Sequence, residues 1–460
     1  MLNREVFSWR LLLGPLLAVF CYLVLQQYSS LNSQAILVAS ITVLCALWWV
    51  FEPIPIPATS LLPLAVLPLL GILTPSQVAE AYGNPLILLL MGGCILSTAM
   101  ERSGAHRHIA LLMVNMLGGN SARRVVLGFM AASALLSMWI SNTATTLMLL
   151  PVALAVIAST QHKALAVPLL LGICYAASIG GMGTPIGTPP NLIFMRVYEE
   201  TVGEAVSFVT WMSWCLPVVI VLVPLAGWWL TRNLNVRGGF NIPENEAWTL
   251  EQKRVMWVFS ITALAWVTRT EPFGGWREWL NFPSANDASV ALLAVIAMFI
   301  VPNGKGERLL SWEAAVKIPW GMLLLFSGGI ALAKAFVVSG LAQALAGGLT
   351  ALSDLPVVWM ILLVCLAVTF LTEVTSNTAS TSLLMPLLAV GAVTAGIDPL
   401  LLMVPAALSA SCAFMLPVAT APNAIVFGSG KVPIMAMVKT GLVLNFIGAG
   451  VITLVLVRLG

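Results

Sequence analysis

The sequence predicts an all-α polytopic membrane protein, with about eleven transmembrane helices and two re-entrant hairpins arranged as two inverted repeats. Three observations carry this. The 460 residues are 60% hydrophobic and only 8% charged, with a mean hydropathy of +0.99, whereas roughly a quarter of a soluble domain is charged. Apolar stretches of about bilayer-spanning length recur along the chain. The tetrapeptide Ser-Asn-Thr-Ala occurs twice, at 141–144 and 376–379, each time inside apolar sequence.

The repeat is wider than the tetrapeptide. SNTATTLMLLP runs to Pro151 and SNTASTSLLMP to Pro386, GGCILSTAMERSG from Gly92 aligns with GGIALAKAFVVSG from Gly328, and GTPPN ending at Asn191 has its counterpart in ATAPN ending at Asn423. From Gly92 to Gly328, Ser141 to Ser376 and Asn191 to Asn423 the offsets are 236, 235 and 232 residues. Near-constant spacing over that length implies two structurally equivalent halves, roughly 34–231 and 253–460.

Along the chain, spans are predicted at 8–27, 34–51, 59–73, 85–100, 164–183, 208–231, 254–268, 287–301, 319–337, 399–417 and 438–458. The first follows Arg4 and Arg10, lacks a small-residue cleavage pattern and precedes further spans, so it reads as a retained helix and not a removed signal peptide. The stretches 123–159 and 355–395 are each split by Ser-Asn-Thr and read as hairpins. Charge decides that reading. With the N-terminus inside and both hairpins re-entrant, sixteen of the 21 Lys and Arg fall on the cytoplasmic side and only Arg196, Arg269, Arg277 and Arg458 outside, with Lys334 in a helix. A full crossing at either hairpin would invert every later segment and weaken the asymmetry. The hairpins then open to opposite faces, which is inverted topology, typical of secondary transporters with a site near the midplane. The C-terminus lies outside.

Ser, Asn and Thr accept hydrogen bonds from the first N–H groups of a helix, so each hairpin tip ends one half-helix and begins another whose positive dipole end faces the tip. In GGMGTPIGTPPN (180–191) the prolines lack an N–H and push the preceding residue out of helical geometry, so the fifth span is predicted to unwind there, and ATAPN (419–423) to break the tenth. Such backbone is tolerated at membrane depth only where protein covers it or it lines a cavity. These four elements supply carbonyls, amides and hydroxyls but no cationic side chain, so an anion there calls for small cations as counter-charge. Ser137 and Thr372, one turn before their motif serines, add oxygens that suit a hard ion such as sodium.

The paired SNT motifs, each followed by a proline-asparagine break, resemble the divalent anion:sodium symporter family of di- and tricarboxylate transporters, over nearly the whole chain. The resemblance implies a homodimer in the bacterial inner membrane that imports a small dicarboxylate of the succinate, malate or fumarate type, or a tricarboxylate, with co-transported sodium ions, by an elevator motion. It implies substrate contacts from Ser141, Asn142, Thr143, Thr188, Asn377, Thr378 and Thr420. One sodium site takes Ser137, Ser141, Asn142 and the Gly187 carbonyl, and the other takes Thr372, Thr375, Asn377 and the Ala419 carbonyl. TAPN replaces TPPN in the second break, so Ala421 is left out. It further implies scaffold segments 1–121 (spans one to four and an arm helix) and 232–353 (spans seven to nine and a second arm helix), with transport segments 122–231 and 354–460. The alternatives are a sodium-independent dicarboxylate or citrate exchanger, or a carrier of another oxyanion such as sulfate, on the same fold.

Other classes find little support. A net charge of +3, with basic residues spread over loops, does not point to nucleic acid. No histidine lies in a predicted span and no HExxH occurs, so neither an enzyme nor an organic cofactor is expected. Cys21, Cys45, Cys94, Cys174, Cys215, Cys365 and Cys412 read as small core residues. His106 and His108, in the basic segment ERSGAHRH, are expected on the solvated face of a cytoplasmic arm helix. Gly92-Gly93 and Gly328-Gly329 are expected to allow close helix packing, and Trp at span ends to form an interfacial belt. Glu373 is an acid at membrane depth, where it either tunes the second cation site or makes a structural hydrogen bond. Lys334 either snorkels from a helix end or sits between domains.

Overall fold

The computed structural model describes residues 9–118, 121–160, 163–234, 240, 246–341, 344 and 355–459. The described chain is helical, its β pairing an isolated bridge between Pro302 and Arg308. Among the described residues eight helices are long and apolar enough to cross a bilayer. Six coincide with predicted spans: Trp9–Tyr28, Ser33–Phe51, Pro75–Ser103, Phe208–Thr231, Trp320–Ser339 and Ile434–Leu456. The other two, Asn142–Ser159 and Asn377–Thr394, are the second arms of the split segments.

The remaining predicted spans are filled by shorter helices, except span seven, which matches the second hairpin arms in length but carries Glu251, Lys253 and Arg254 near its start. Span three is two pieces, Ile56–Thr59 and Leu61–Leu69, and span ten stops at Leu400–Ser409. Span seven is Leu250–Val267, opened by the capping box of Thr249 and Gln252. The two split segments are helix pairs joined by short tips, Ala122–Ser137 with Asn142–Ser159, and Val357–Thr372 with Asn377–Thr394. Ala105–Leu117 forms the first arm helix, while the predicted second arm, near 341–353, lies largely outside the described residues.

Both predicted breaks occur. After Gly181 the chain leaves the helix and re-enters it at Pro189, and after Ser409 it re-enters at Ala421. Thr188 is extended (φ −149°, ψ 145°), as a residue ahead of proline must be, and Thr420 matches it (φ −141°, ψ 152°). An unwound backbone strands its own polar groups, and the motif asparagines collect them. Asn191 Nδ2 donates to the carbonyls of Gly181 (2.9 Å) and Thr184 (2.7 Å), and Asn423 Nδ2 donates to those of Ala413 (2.9 Å) and Leu416 (3.0 Å). All four carbonyl positions and both asparagines are related by the same offset of 232 residues.

The packing is crossed between halves. Ala166–Gly181 packs on both arms of the first hairpin, and Leu400–Ser409 on both arms of the second. The second arm Asn142–Ser159 lies against Ala421–Gly428, the helix after the second break, while Asn377–Thr394 lies against Pro189–Val202, the helix after the first. Phe208–Thr231 and Ile434–Leu456 meet between them. A second group of helices flanks this core: Pro85–Ser103 on Asp287–Ile300, and Trp320–Ser339 on Leu61–Leu69.

Small residues set these contacts, as expected. A Cβ at Gly92 would stand 2.7 Å from Ala291 Cβ, and one at Gly328 would stand 2.6 Å from the Ser60 carbonyl oxygen. At Gly180 an added Cβ would press on backbone, 2.5 Å from Ala134 Cα and 2.7 Å from its carbonyl carbon. Backbone cannot swing aside as a side chain can. Gly180→Ala is therefore expected to destabilise the protein by about 1–3 kcal/mol or more, read as a lower melting temperature in detergent; wild-type melting would refute the packing. The seven cysteines are free, and five are buried.

Candidate functional site

At the first tip, the Ser141 hydroxyl accepts a hydrogen bond from Ala144 N (3.1 Å) and caps the second arm. Ser137 Oγ, on the last turn of the first arm, donates to Asn142 Oδ1 at 2.5 Å. The same amide closes on the first break. An ideal Cβ on Gly181 would meet Asn142 Oδ1 at 2.8 Å and the Gly187 carbonyl oxygen at 3.1 Å, and one on Gly187 would meet the Gly181 oxygen at 2.5 Å. Glycine at position 181 lets Asn142 Oδ1, with Ser137 Oγ on it, and the Gly187 carbonyl oxygen gather in one small volume. Neutral hard oxygens at close quarters are the donor set of a hard cation.

The second tip repeats the core of this arrangement. Thr372 Oγ1 donates to Asn377 Oδ1 at 2.7 Å and also reaches the Ala410 carbonyl at 3.1 Å. The Thr375 hydroxyl donates to the Leu371 carbonyl (2.8 Å) and contacts Ser380 Oγ, both on the hairpin itself. Ala419 is buried in the second break. Thr420 Oγ1 caps the following helix through Asn423 N (3.2 Å), whereas Thr188 makes no such cap.

Of the residues expected to touch substrate, Ser141 and Thr143 line a cavity of about 410 Å³, together with Gly187 of the first break and Ser97, Thr98 and Glu101 of Pro85–Ser103. Asn142, Thr188, Asn377, Thr378 and Thr420 do not line it. The cavity also contains what the sequence reading lacked, a cation: Lys317, delivered by the turn before Trp320–Ser339. Nothing local in the sequence brings Lys317 to a tip 174 residues away by number, from Thr143.

Glu373 follows the first arm of the second hairpin and is buried. Its Oε1 accepts from Phe414 N (2.8 Å), Met415 N (2.9 Å) and Asn445 Nδ2 (2.8 Å), and its Oε2 accepts from Leu416 N (3.0 Å). The carboxylate thus gathers the free N–H groups of the second break, while Asn423 gathers its carbonyls. In the first half the corresponding position is Met138, whose carbonyl accepts from Thr184 Oγ1. Trp211 Nε1 donates to Met182 O there (3.0 Å), and Tyr175 OH ties the first half to Phe414 O (2.7 Å). An acid at membrane depth was the available signal; its partners were not.

Lys334 Nζ pairs with Glu80 at 2.6 Å. His106 and His108 depart from expectation, because both are buried. His106 Nδ1 lies 3.1 Å from Met100 O, burial holds its imidazole below the ordinary value, and His108 packs against Trp248 with ring centroids 4.0 Å apart and planes tilted by 42°. The arm helix turns this pair inward, so they pack and do not face solvent.

The comparisons with known proteins agree with one another. The citrate transporter family model CitMHS matches residues 46–401. A sodium-dependent dicarboxylate transporter SdcS of Staphylococcus saprophyticus is 40% identical, across 97% of this chain and 90% of its own length, and one of Staphylococcus aureus is 41% identical across 97% and 89%. Among solved structures, the YdaH transporter of Alcanivorax borkumensis superposes with a TM-score of 0.57 at 17% identity, over 85% of this chain and 88% of its own, which is a likeness of fold.

Proposed function

This chain belongs to the citrate transporter family CitMHS, and from that premise we propose how its site works. The protein is an integral membrane transporter that moves dicarboxylates coupled to sodium, the activity that its relatives at 40–41% identity are named for. Dicarboxylate is held at the two hairpin tips by Ser141, Asn142, Thr143, Asn377 and Thr378, with Thr188 and Thr420 contributing from the breaks. Sodium ions are cargo, bound by Ser137, Ser141, Asn142 and the Gly187 carbonyl on one side and by Thr372, Thr375, Asn377 and the Ala419 carbonyl on the other.

The observation that carries this reading is the matched pair of hydroxyl-to-amide contacts, Ser137 to Asn142 and Thr372 to Asn377. Each brings two neutral oxygens within 2.5–2.7 Å at a helix start. A dianion at two helix N-termini gains the dipole ends, but the chain supplies no cation at the tips themselves. Bound sodium would provide that charge, which is how the substrate and the ion become coupled. Simultaneous occupancy lowers the cost of burying either alone.

The two halves have inverted topology, with the N-terminus cytoplasmic and the C-terminus outside. Segments 122–231 and 354–460 act as a transport domain that shifts by an elevator motion against a scaffold of 1–121 and 232–353, in a homodimer. The crossed packing of each hairpin arm on the opposite half's break supports treating those elements as one moving body. The cavity between the first tip and Pro85–Ser103 marks a seam with the flanking helices.

Uptake of labelled succinate and citrate into proteoliposomes tests the function. Succinate is expected to accumulate under an inward sodium gradient and to fall to background when choline replaces sodium. Equal uptake in both would identify a sodium-independent exchanger instead.

A further inference from the structure

Two cavities meet at the inner end of the seam. The one that holds Ser141 and Thr143 shares Thr98, Glu101 and Lys317 with a second, also of about 410 Å³, which continues past Arg102 and Glu313. Lys317 therefore stands at the threshold between the hairpin-tip site and the mouth. The other cation there is ion-paired, while the two carboxylates take hydrogen bonds from neutral groups and keep their charge. Arg102 pairs with Glu307 at 2.9 Å and reaches Ser311 Oγ at 3.1 Å, Glu101 accepts from Ser97 Oγ at 3.2 Å, and Glu313 is held below the usual carboxylate range, first by its own backbone N–H and then by the Ser311 hydroxyl. Among the described residues, the Lys317 ammonium makes no ion pair with any of them. Its backbone is fixed by Lys317 N donating to Ala314 O (3.1 Å), two residues before Pro319 caps the next helix.

We propose that Lys317 is a second, weaker anion subsite for the dicarboxylate, a docking point at the inner mouth through which substrate passes between the hairpin tips and the cytoplasm. The inference rests on the tip-site reading and on the first tip opening inward. A dianion that leaves its sodium ions loses its counter-charge while it is still within protein walls, where fields are focused and screening is weak. A fixed ammonium at the threshold lowers that barrier. Beyond about 8–10 Å in physiological salt its pull is screened, so it acts within the mouth and not as a long-range attractor. A side chain exposed enough to reach solvent, with its charge unspent, suits transient contact better than tight retention.

Sided kinetics in proteoliposomes test this. Succinate counterflow is measured from the cytoplasmic and from the outer face, at low and high ionic strength, for wild type, Lys317→Gln and Lys317→Arg. For Lys317→Gln the ratio of cytoplasmic-face to outer-face half-saturating succinate is expected to rise about three- to tenfold, the size of one partly screened charge contact. The salt dependence at the cytoplasmic face should flatten, and Lys317→Arg should restore both. An unchanged ratio with unchanged salt dependence overturns the proposal, as does a shift that is equal at the two faces. Failure of the tip-site reading shows elsewhere, as normal uptake by Asn142→Ala.

Discussion

Asn142→Ala and Asn377→Ala are each expected to abolish sodium-driven succinate uptake, while the variants elute from size exclusion and melt close to wild type. The expected loss is on the order of a hundredfold or more, at least that of removing a supporting contact to a bound metal. Each substitution removes the amide oxygen that accepts from Ser137 or Thr372, the same oxygen proposed to face sodium, together with the NH2 group that could donate to a carboxylate. The fold does not depend on these side chains in the same way. Ser141 still caps the first hairpin's second arm, and the Asn377 carbonyl, which is backbone, still accepts from Thr381 Oγ1. Normal uptake by either variant would remove that tip from the site.

Glu373→Ala is expected to fail for a different reason. It leaves Phe414 N, Met415 N, Leu416 N and Asn445 Nδ2 without their acceptor. A buried donor stripped of its partner costs roughly 1–3 kcal/mol, and four of them share this carboxylate, so both the melting temperature and uptake should drop. Glu373→Gln should be intermediate, because the remaining oxygen can keep the three donors on Oε1 while the new NH2 group faces Leu416 N. Melting in detergent separates the cases: an alanine variant as stable as wild type, yet inactive, would assign Glu373 to ion or substrate contact instead of bracing. Gly441 presses on the same segment, where a Cβ would stand 2.7 Å from Met415 Cα. The second break is thus held from three elements.

The helix ends were legible because they are local. Span 208–231 forms as Phe208–Thr231 and 34–51 as Ser33–Phe51, since apolar runs and caps act over a few residues. Span three divides between Thr59 and Leu61 and ends at Leu69, with Pro63 and Pro68 in its second piece. Hydropathy is insensitive to that interruption, because proline does not make a segment polar. His106 and His108 pack inward and not on the expected solvated face, because charge composition says which segment is basic but not which way its helix is rolled.

The sequence by itself determined the membrane class, the two matched halves, the positions of both tips and both breaks, and the residue types that crowd there. Those features arise from steric and hydrogen-bonding rules that operate between near neighbours, such as a proline unseating the residue before it or a serine capping the turn beyond it. Tertiary structure alone decided that Glu373 braces a segment 41–43 residues downstream, that Asn142 closes on Gly181, and that Lys317 enters the cavity of the first tip. Such partnerships depend on how helices pack across the molecule, and no short-range pattern records which side chains that packing will bring together.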